Sequence, residues 1–325
     1  IMKDSKHKLL TLAALTTIGA GVVHVANRVI VASSQLKEML DFSNHNYYDW
    51  RFGKIYYTKK GEGTPLLLIH DLSVYSSGYE WNKIAKDLSK NYTVYTIDLP
   101  GCGRSDKPNI TYTNYLFVQL VLDFIKHVIG EKTKIISTGE SCSFTAGACQ
   151  TEPDIIDEMI FINPIDIKQL GRIPNKRSKM LTWMINTPVF GTFLYNMFVK
   201  EKNIESLFKE KYFYHSENVT SEMIKTYYEC SHSGGAVCKY LFSSQIGRYT
   251  TVNMKHCLNS INNSIFIISG EEDLYQETAE EYKEILPSIE VASIKGTKYL
   301  PQLEEPDKFL EQVNILFSQQ EEEPL

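Results

Sequence analysis

The chain has no C-x-x-C pair, although it carries six cysteines. Cys102, Cys142, Cys149, Cys230, Cys238 and Cys257 show no staple-like clustering, and several lie in apolar runs where a free thiol behaves as a small hydrophobe. That spacing speaks against a thioredoxin-type redox motif and a zinc knuckle, and an even count alone is thin support for disulfides. An excess of basic residues is also missing: Lys and Arg number 34 against 39 Asp and Glu, net charge −5. No basic surface is therefore available for nucleic acid. Neither an internal repeat nor a low-complexity linker occurs, which excludes solenoids and tethered arrays. Nothing in the pattern calls for a metal or an organic cofactor.

What remains is ordinary globular composition, 43% apolar and 22% charged over 325 residues, enough for one large core or two modest ones. The N-terminus departs from it. Lys3, Lys6 and Lys8 precede the uncharged run LLTLAALTTIGAGVV, which continues through His24 and Arg28. A basic flank followed by an apolar stretch reads as a signal peptide or short membrane anchor, so membrane association or export is expected, with a cytoplasmic chain as the alternative. The uncharged run alone is shorter than the roughly 20 residues a span needs, and crossing requires His24 and Arg28 to snorkel. An amphipathic helix packed on the domain is the plainer reading. Residues 1–45 are taken as this segment and its linker, and the acidic residues 319–325 as a solvated tail.

From residue 46 strand and helix patterns alternate. NYYDWRFGKIYYTKKGEG reads as a hairpin. PLLLIHD, YTVYTIDLP, TKIISTG, MIFINP, SIFIISG and IEVASIKG read as strands. YEWNKIAKDLSK, NYLFVQLVLDFIKHVIG, residues 277–286 and a final stretch from Pro306 have helical spacing. Such alternation predicts an α/β fold, a mostly parallel central sheet flanked by helices. Residues 167–250 break the rhythm with aromatic-rich helical pieces and no convincing strand. The expected organisation is therefore a core of 46–166 and 251–318 with a helical cap of 167–250 inserted.

Ser141 lies in GESCS, after the strand TKIISTG and before the apolar start of a helix. A serine on a sharp strand-to-helix turn exposes its hydroxyl beyond the sheet, at a helix N-terminus that favours developing negative charge. HDLS (70–73), DLPGCGRSDKP (98–108), GESCS (139–143), GEED (270–273) and GTKYLPQLEEP (296–306) follow in the order and spacing of the α/β-hydrolase superfamily, which the chain resembles over about residues 50–318. Gly101-x-Gly103 lacks the third glycine and immediate helix of a dinucleotide site.

The resemblance implies Ser141 as nucleophile, Asp273 as the acid that orients the base, and the backbone N–H groups of Leu72 and Cys142 as the oxyanion hole. Two positions depart from the pattern. His70-Asp71 stands where the family has His-Gly, which sets a carboxylate beside the oxyanion hole. Tyr299 stands where the family has its histidine. A phenol with a pKa near 10 already holds its proton at neutral pH and hardly accepts one from serine.

Of the other histidines, His232 and His256 are the candidates for a displaced base. His70 is expected to brace the oxyanion loop, and each has an ordinary packed or polar reading as well. Trp183, Phe190, Phe193, Tyr195, Phe198 and Tyr227 are first of all packing residues and suggest an apolar pocket for an acyl or other small apolar molecule. Two readings follow: a serine ester or amide hydrolase with weak or no turnover, or a non-catalytic protein that binds a small apolar ligand on the same fold.

Overall fold

The apolar runs between turn signals become strands β1 (Tyr47–Trp50), β2 (Gly53–Lys60), β3 (Thr64–Ile69), β4 (Tyr92–Ile97), β5 (Thr133–Thr138), β6 (Ile156–Ile162), β7 (Ile265–Ser269) and β8 (Glu290–Ser293). They form one sheet in the order β1-β2-β4-β3-β5-β6-β7-β8. β1 and β2 make an antiparallel hairpin, β2 joins β4 antiparallel, and every later pairing is parallel. The structure, a computed structural model, describes residues 2–36, 39–40 and 46–318, with side chains from residue 13 onward. His45 and the tail 319–325 lie outside the described residues, as do the side chains of Lys3, Lys6, His7 and Lys8.

A strand buried on both faces needs apolar residues at every position, and Leu66, Leu67, Leu68 and Ile69 are all fully buried. Their period of two divides them between the layers. Leu67 and Ile69 meet Phe117, Leu120 and Phe144 on one face. Leu66 and Leu68 meet Trp81, Ile84, Phe309 and Val313 on the other. Each such side chain contributes about 1.5–3 kcal/mol of burial free energy.

Two helices differ from expectation. YEWNKIAKDLSK becomes a tight turn, Gly78–Trp81, and a single helical turn, Ala85–Leu88. Ser77 caps the first turn, which leaves Glu80 aimed inward while Trp81, Ile84 and Leu88 share one apolar cluster. The helix expected at 277–286 spans Asp273–Ile285 instead. Its earlier start follows the acidic run Glu271-Glu272-Asp273, which suits a helix N-terminus.

Between β6 and β7 the described backbone contains helices and turns but no strand. This helical block meets the sheet domain through a third apolar cluster, in which Ile204, Phe208, Phe213 and Tyr227 pack against Tyr299, Leu300 and Leu303. The N-terminal helix, Met2–Ser34, is apolar enough to cross a membrane over Ala13–Ser34. It touches the helical block near its C-terminal end, where Asn27 donates to Val189 O (3.1 Å) and accepts from Asn196 (2.9 Å).

The loop after β4 is organised by one buried carboxylate. Asp98 accepts from Gly78 N (2.7 Å), Arg104 N (2.8 Å), Arg104 Nε (2.8 Å) and Arg104 Nη2 (3.1 Å). Burial alone would raise its pKa, but the Arg104 charge and hydrogen bonds hold it below the usual carboxylate value. Arg104→Ala leaves that charge unpaired and is expected to cost about 3–5 kcal/mol, measured by urea unfolding. A loss under about 1 kcal/mol would mean that water replaces the guanidinium.

Candidate active site

β5 delivers the chain to Gly139, which has φ +58° and whose missing Cβ leaves room that the Tyr299 hydroxyl and Asp71 carboxylate fill. Any side chain there would be strained and would collide with both. The helix Ser141–Thr151 begins immediately beyond. Ser143, two residues beyond Ser141, is fully buried and donates to Glu140 O (2.7 Å).

Ser141 is also fully buried, and its hydroxyl donates to the His70 carbonyl at 2.6 Å. His70 braces the loop: its Nε2 accepts from Leu99 N (3.0 Å), so Nδ1 carries the proton and donates to Asp71 O (2.7 Å). Burial lowers its pKa, which keeps the ring neutral.

Asp71 is the hub. Its carboxylate accepts from Glu140 N (3.0 Å) and from the Tyr299 hydroxyl, and the Leu72 N–H lies near enough to lower its pKa. Leu72 N–H, expected to serve an oxyanion, thus faces a resident carboxylate. The other expected donor, Cys142 N, closes the first helical turn onto Gly139 O at 3.3 Å.

Two more carboxyl groups surround Asp71. Glu80 accepts from Asp71 N (3.1 Å) and from Gln302 Nε2 (2.8 Å), which also reaches Thr138 (3.2 Å). Glu140 accepts from Thr250 (2.5 Å) and Gln245 (3.0 Å), two residues at the end of the helical block. Burial is the main cause of raised pKa values at all three. Asp71 goes to about 6, restrained by the Glu140 N–H, Tyr299 and Leu72 N–H. Glu80 goes to about 8, with the Asp71 charge adding to burial. Glu140 goes to about 7, restrained by Thr250 and Gln245. Tyr299 rises well above 10, through burial first and then the Asp71 charge, so its proton is firmly held.

Tyr299 is fixed from behind by Asn163, whose amide donates to Lys298 O (2.8 Å) and Tyr299 O (2.9 Å) and accepts from Gly270 N (2.9 Å). Asn163 itself has φ +41°. Asp273 sits at the exposed first turn of its helix, and no hydrogen bond or ion pair joins it to Ser141 or Tyr299 among the described residues. The phenol, longer than an imidazole, meets Asp71 instead. His232 is buried in the helical block with Nδ1 facing Ser231 (2.8 Å) and Tyr228 O (2.9 Å), and His256 is exposed on the short helix Met254–Leu258. Neither is hydrogen-bonded to Ser141.

A cavity of about 520 Å³ opens above this cluster, lined among others by Asp71, Glu140, Tyr75, Tyr212, Tyr299 and Arg248. Ser141, His232 and His256 are not among its lining residues. Neither are the six aromatics expected there: Trp183, Phe190 and Phe198 are largely exposed, while Tyr195 and Tyr227 are packed inside. The chamber is walled instead by Tyr75, Tyr212 and Tyr299, by the carboxyl groups of Asp71 and Glu140, and by apolar residues that include Leu72, Ile165 and the block's Phe242. Glu80, Glu140, Asn163 and Gln302 escaped the sequence reading, since a single buried carboxyl or amide has no spacing signature.

Comparison with known proteins comes to the same sheet. The family model described as alpha/beta hydrolase fold matches residues 64–306. A soluble epoxide hydrolase from Corynebacterium is 25% identical over 112 residues, 34% of this chain and 38% of that protein, so the match spans well under half the relative's length. A meta-cleavage product hydrolase from Pseudomonas fluorescens superposes with a TM-score of 0.68 at 19% identity, covering 86% of this chain and 99% of that one. A bacterial membrane phospholipase A gives a TM-score of 0.68 at 18% identity, covering 96% and 98%.

The carboxyl cluster sets a pH dependence. Asp71, Glu80 and Glu140 bind protons more tightly folded than unfolded, where carboxyls titrate near 4. Their stabilising contribution is complete below that value and is lost as pH rises through about 6 to 8. Glu80→Gln should flatten the fall in melting temperature between pH 5 and pH 8 relative to wild type; an unchanged slope would mean that Glu80 is ionised or solvated at neutral pH.

Proposed function

Because the chain belongs to the alpha/beta hydrolase fold family, we propose that it is a member of the serine ester and amide hydrolase class whose turnover is weak or absent. The observation that carries this reading is the Asp71 carboxylate, which takes the Tyr299 hydroxyl and lies beside the Leu72 N–H. An acyl-enzyme mechanism needs a base to take the serine proton and free N–H groups to receive the oxyanion. Here Tyr299 stands in the position of the base with its own proton firmly held, and a resident carboxylate lies beside one of the donors. Loss of one triad member commonly costs 10⁴ to 10⁶ in rate.

The helical block of 167–250 serves as the cap, clamped to the nucleophile turn through Glu140, Gln245 and Thr250. The cavity beneath it accepts a small acyl or aromatic molecule, held by tyrosine hydroxyls and Arg248. A non-catalytic binding protein is the second reading. It is favoured by Ser141, whose hydroxyl is committed to the His70 carbonyl and which does not line the cavity.

Two experiments test the proposal. A fluorophosphonate probe should label wild-type Ser141 slowly or not at all, because labelling requires an activated nucleophile. Tyr299→His combined with Asp71→Gly should restore labelling and raise hydrolysis of a short-chain aryl ester by about 10² or more. Brisk wild-type turnover, unaffected by these changes but lost in His232→Ala or His256→Ala, would show that the base has moved. Acyl ligand binding without hydrolysis in either version would favour the binding protein.

The N-terminal helix holds the protein to a membrane, with the basic residues Lys3, Lys6 and Lys8 on the cytoplasmic side and the folded domain outside. Fractionation should recover the full-length chain with membranes, and a wholly soluble cytosolic chain would overturn this topology.

A further inference from the structure

A second cavity, about 660 Å³, lies between the N-terminal helix and the helical block, apart from the Ser141 cluster. His24, Asn27, Arg28, Val31, Ala32 and Gln35 form its helix wall, and the block supplies Asn186, Val189, Thr192 and Lys239 among others. No carboxylate is among the residues that line it.

Its charge is unbalanced. Lys239 is 3% exposed, donates to Thr187 O (2.8 Å) and Thr192 Oγ1 (3.2 Å), and has no carboxylate partner among the described residues. A buried ammonium without a counter-ion is costly unless an anion joins it. Burial accordingly lowers its pKa. Arg28 faces the same space and likewise forms no ion pair among the described residues. Asn186 adds a buried Oδ1 without a hydrogen-bond partner, an acceptor with no donor.

The walls between these groups are apolar: Val31, Ala32, Pro188, Val189 and Val237. Helical spacing puts Thr17, Ala20 and Gly21 on the side of the helix that carries His24 and Arg28, one to two turns towards the N-terminus. These residues are small, and a Cβ placed at Gly21 would meet nothing within 4 Å. Beyond His24 the cavity therefore gives onto an exposed, small-residue face of an apolar helix.

We propose that this cavity binds the headgroup of an anionic phospholipid-type amphiphile. The phosphate lies between Lys239 and Arg28, a headgroup hydroxyl donates to Asn186 Oδ1, and the acyl chains follow the helix. The site is independent of Ser141, so its failure and the failure of the hydrolase reading are read by different experiments.

The test uses the full chain in neutral detergent micelles, probed with phosphatidylglycerol, phosphatidylcholine of the same chain length, and inorganic phosphate. Native mass spectrometry should show saturable one-to-one binding of phosphatidylglycerol, at least about tenfold tighter than phosphatidylcholine. Arg28→Gln and Lys239→Gln should each weaken it about tenfold or more. Arg28 is exposed, so Arg28→Gln should leave the melting temperature unchanged and keeps the test valid if Lys239→Gln misfolds. Unsaturable binding, or binding that Arg28→Gln leaves intact, overturns the proposal. Inorganic phosphate bound as tightly as the lipid overturns it too, because the site would then recognise a bare anion.

Discussion

The carboxylate of Asp71 is the constraint around which the upper edge of the sheet is arranged. It stands just past the end of β3, accepts from the turn after β5 and from Tyr299 in the loop after β8, and lies beside the N–H of its own neighbour Leu72. A charge so deeply buried is tolerable only with several donors. Three separate strand ends meet at it, so satisfying one side chain fixes the mutual positions of those loops. Gly139 follows from the same requirement, because its absent side chain is the space in which the carboxylate and phenol meet.

Positions further out can be derived from that hub. Glu80 accepts from the Asp71 N–H and from the Gln302 amide, which ties the turn after β3 to the short helix Pro301–Glu304. Glu140 extends the chain outward to Gln245 and Thr250 and so couples the helical block to the Ser141 turn. The two glutamates share the electrostatic field of Asp71, so ionising one makes the others harder to ionise. The charge state of the cluster and the seating of the helical block are thereby linked through Glu140.

Much of this was legible in the sequence, for identifiable reasons. β3 and β7 are unbroken apolar runs between turn residues, and such runs have few alternatives to a buried strand. The strand-to-helix turn at Ser141 is legible for the same reason, an apolar strand before it and an apolar helix start after it. Where the reading went astray, tertiary contacts won over local pattern. YEWNKIAKDLSK has helical spacing, yet Glu80 turns inward to Asp71 and the helix shortens to a tight turn. Trp183 and Phe198 suggest a pocket wall by composition, but periodicity does not say which face of the helical block meets the sheet, and both are largely exposed. The second cavity was invisible because it depends on where a separate helix docks.

Asp71 and Tyr299 make physical sense as a pair and much less sense singly. A buried phenol opposite a glycine would leave its hydroxyl with no acceptor, at a desolvation cost of about 1–3 kcal/mol. A buried Asp71 opposite a histidine would hold that ring as an imidazolium, since an adjacent carboxylate favours the charged form. The serine proton would then again find no acceptor. With tyrosine, the carboxylate gains a neutral donor whose proton stays in place, and the hydroxyl gains an acceptor that the longer side chain can reach. In that pair the phenol keeps its proton beside the carboxylate, and a hydroxyl that would have to lose a proton gains nothing from such neighbours. Ser141 accordingly points its hydroxyl at the His70 carbonyl, an acceptor that can hold a hydrogen bond but cannot carry the proton away.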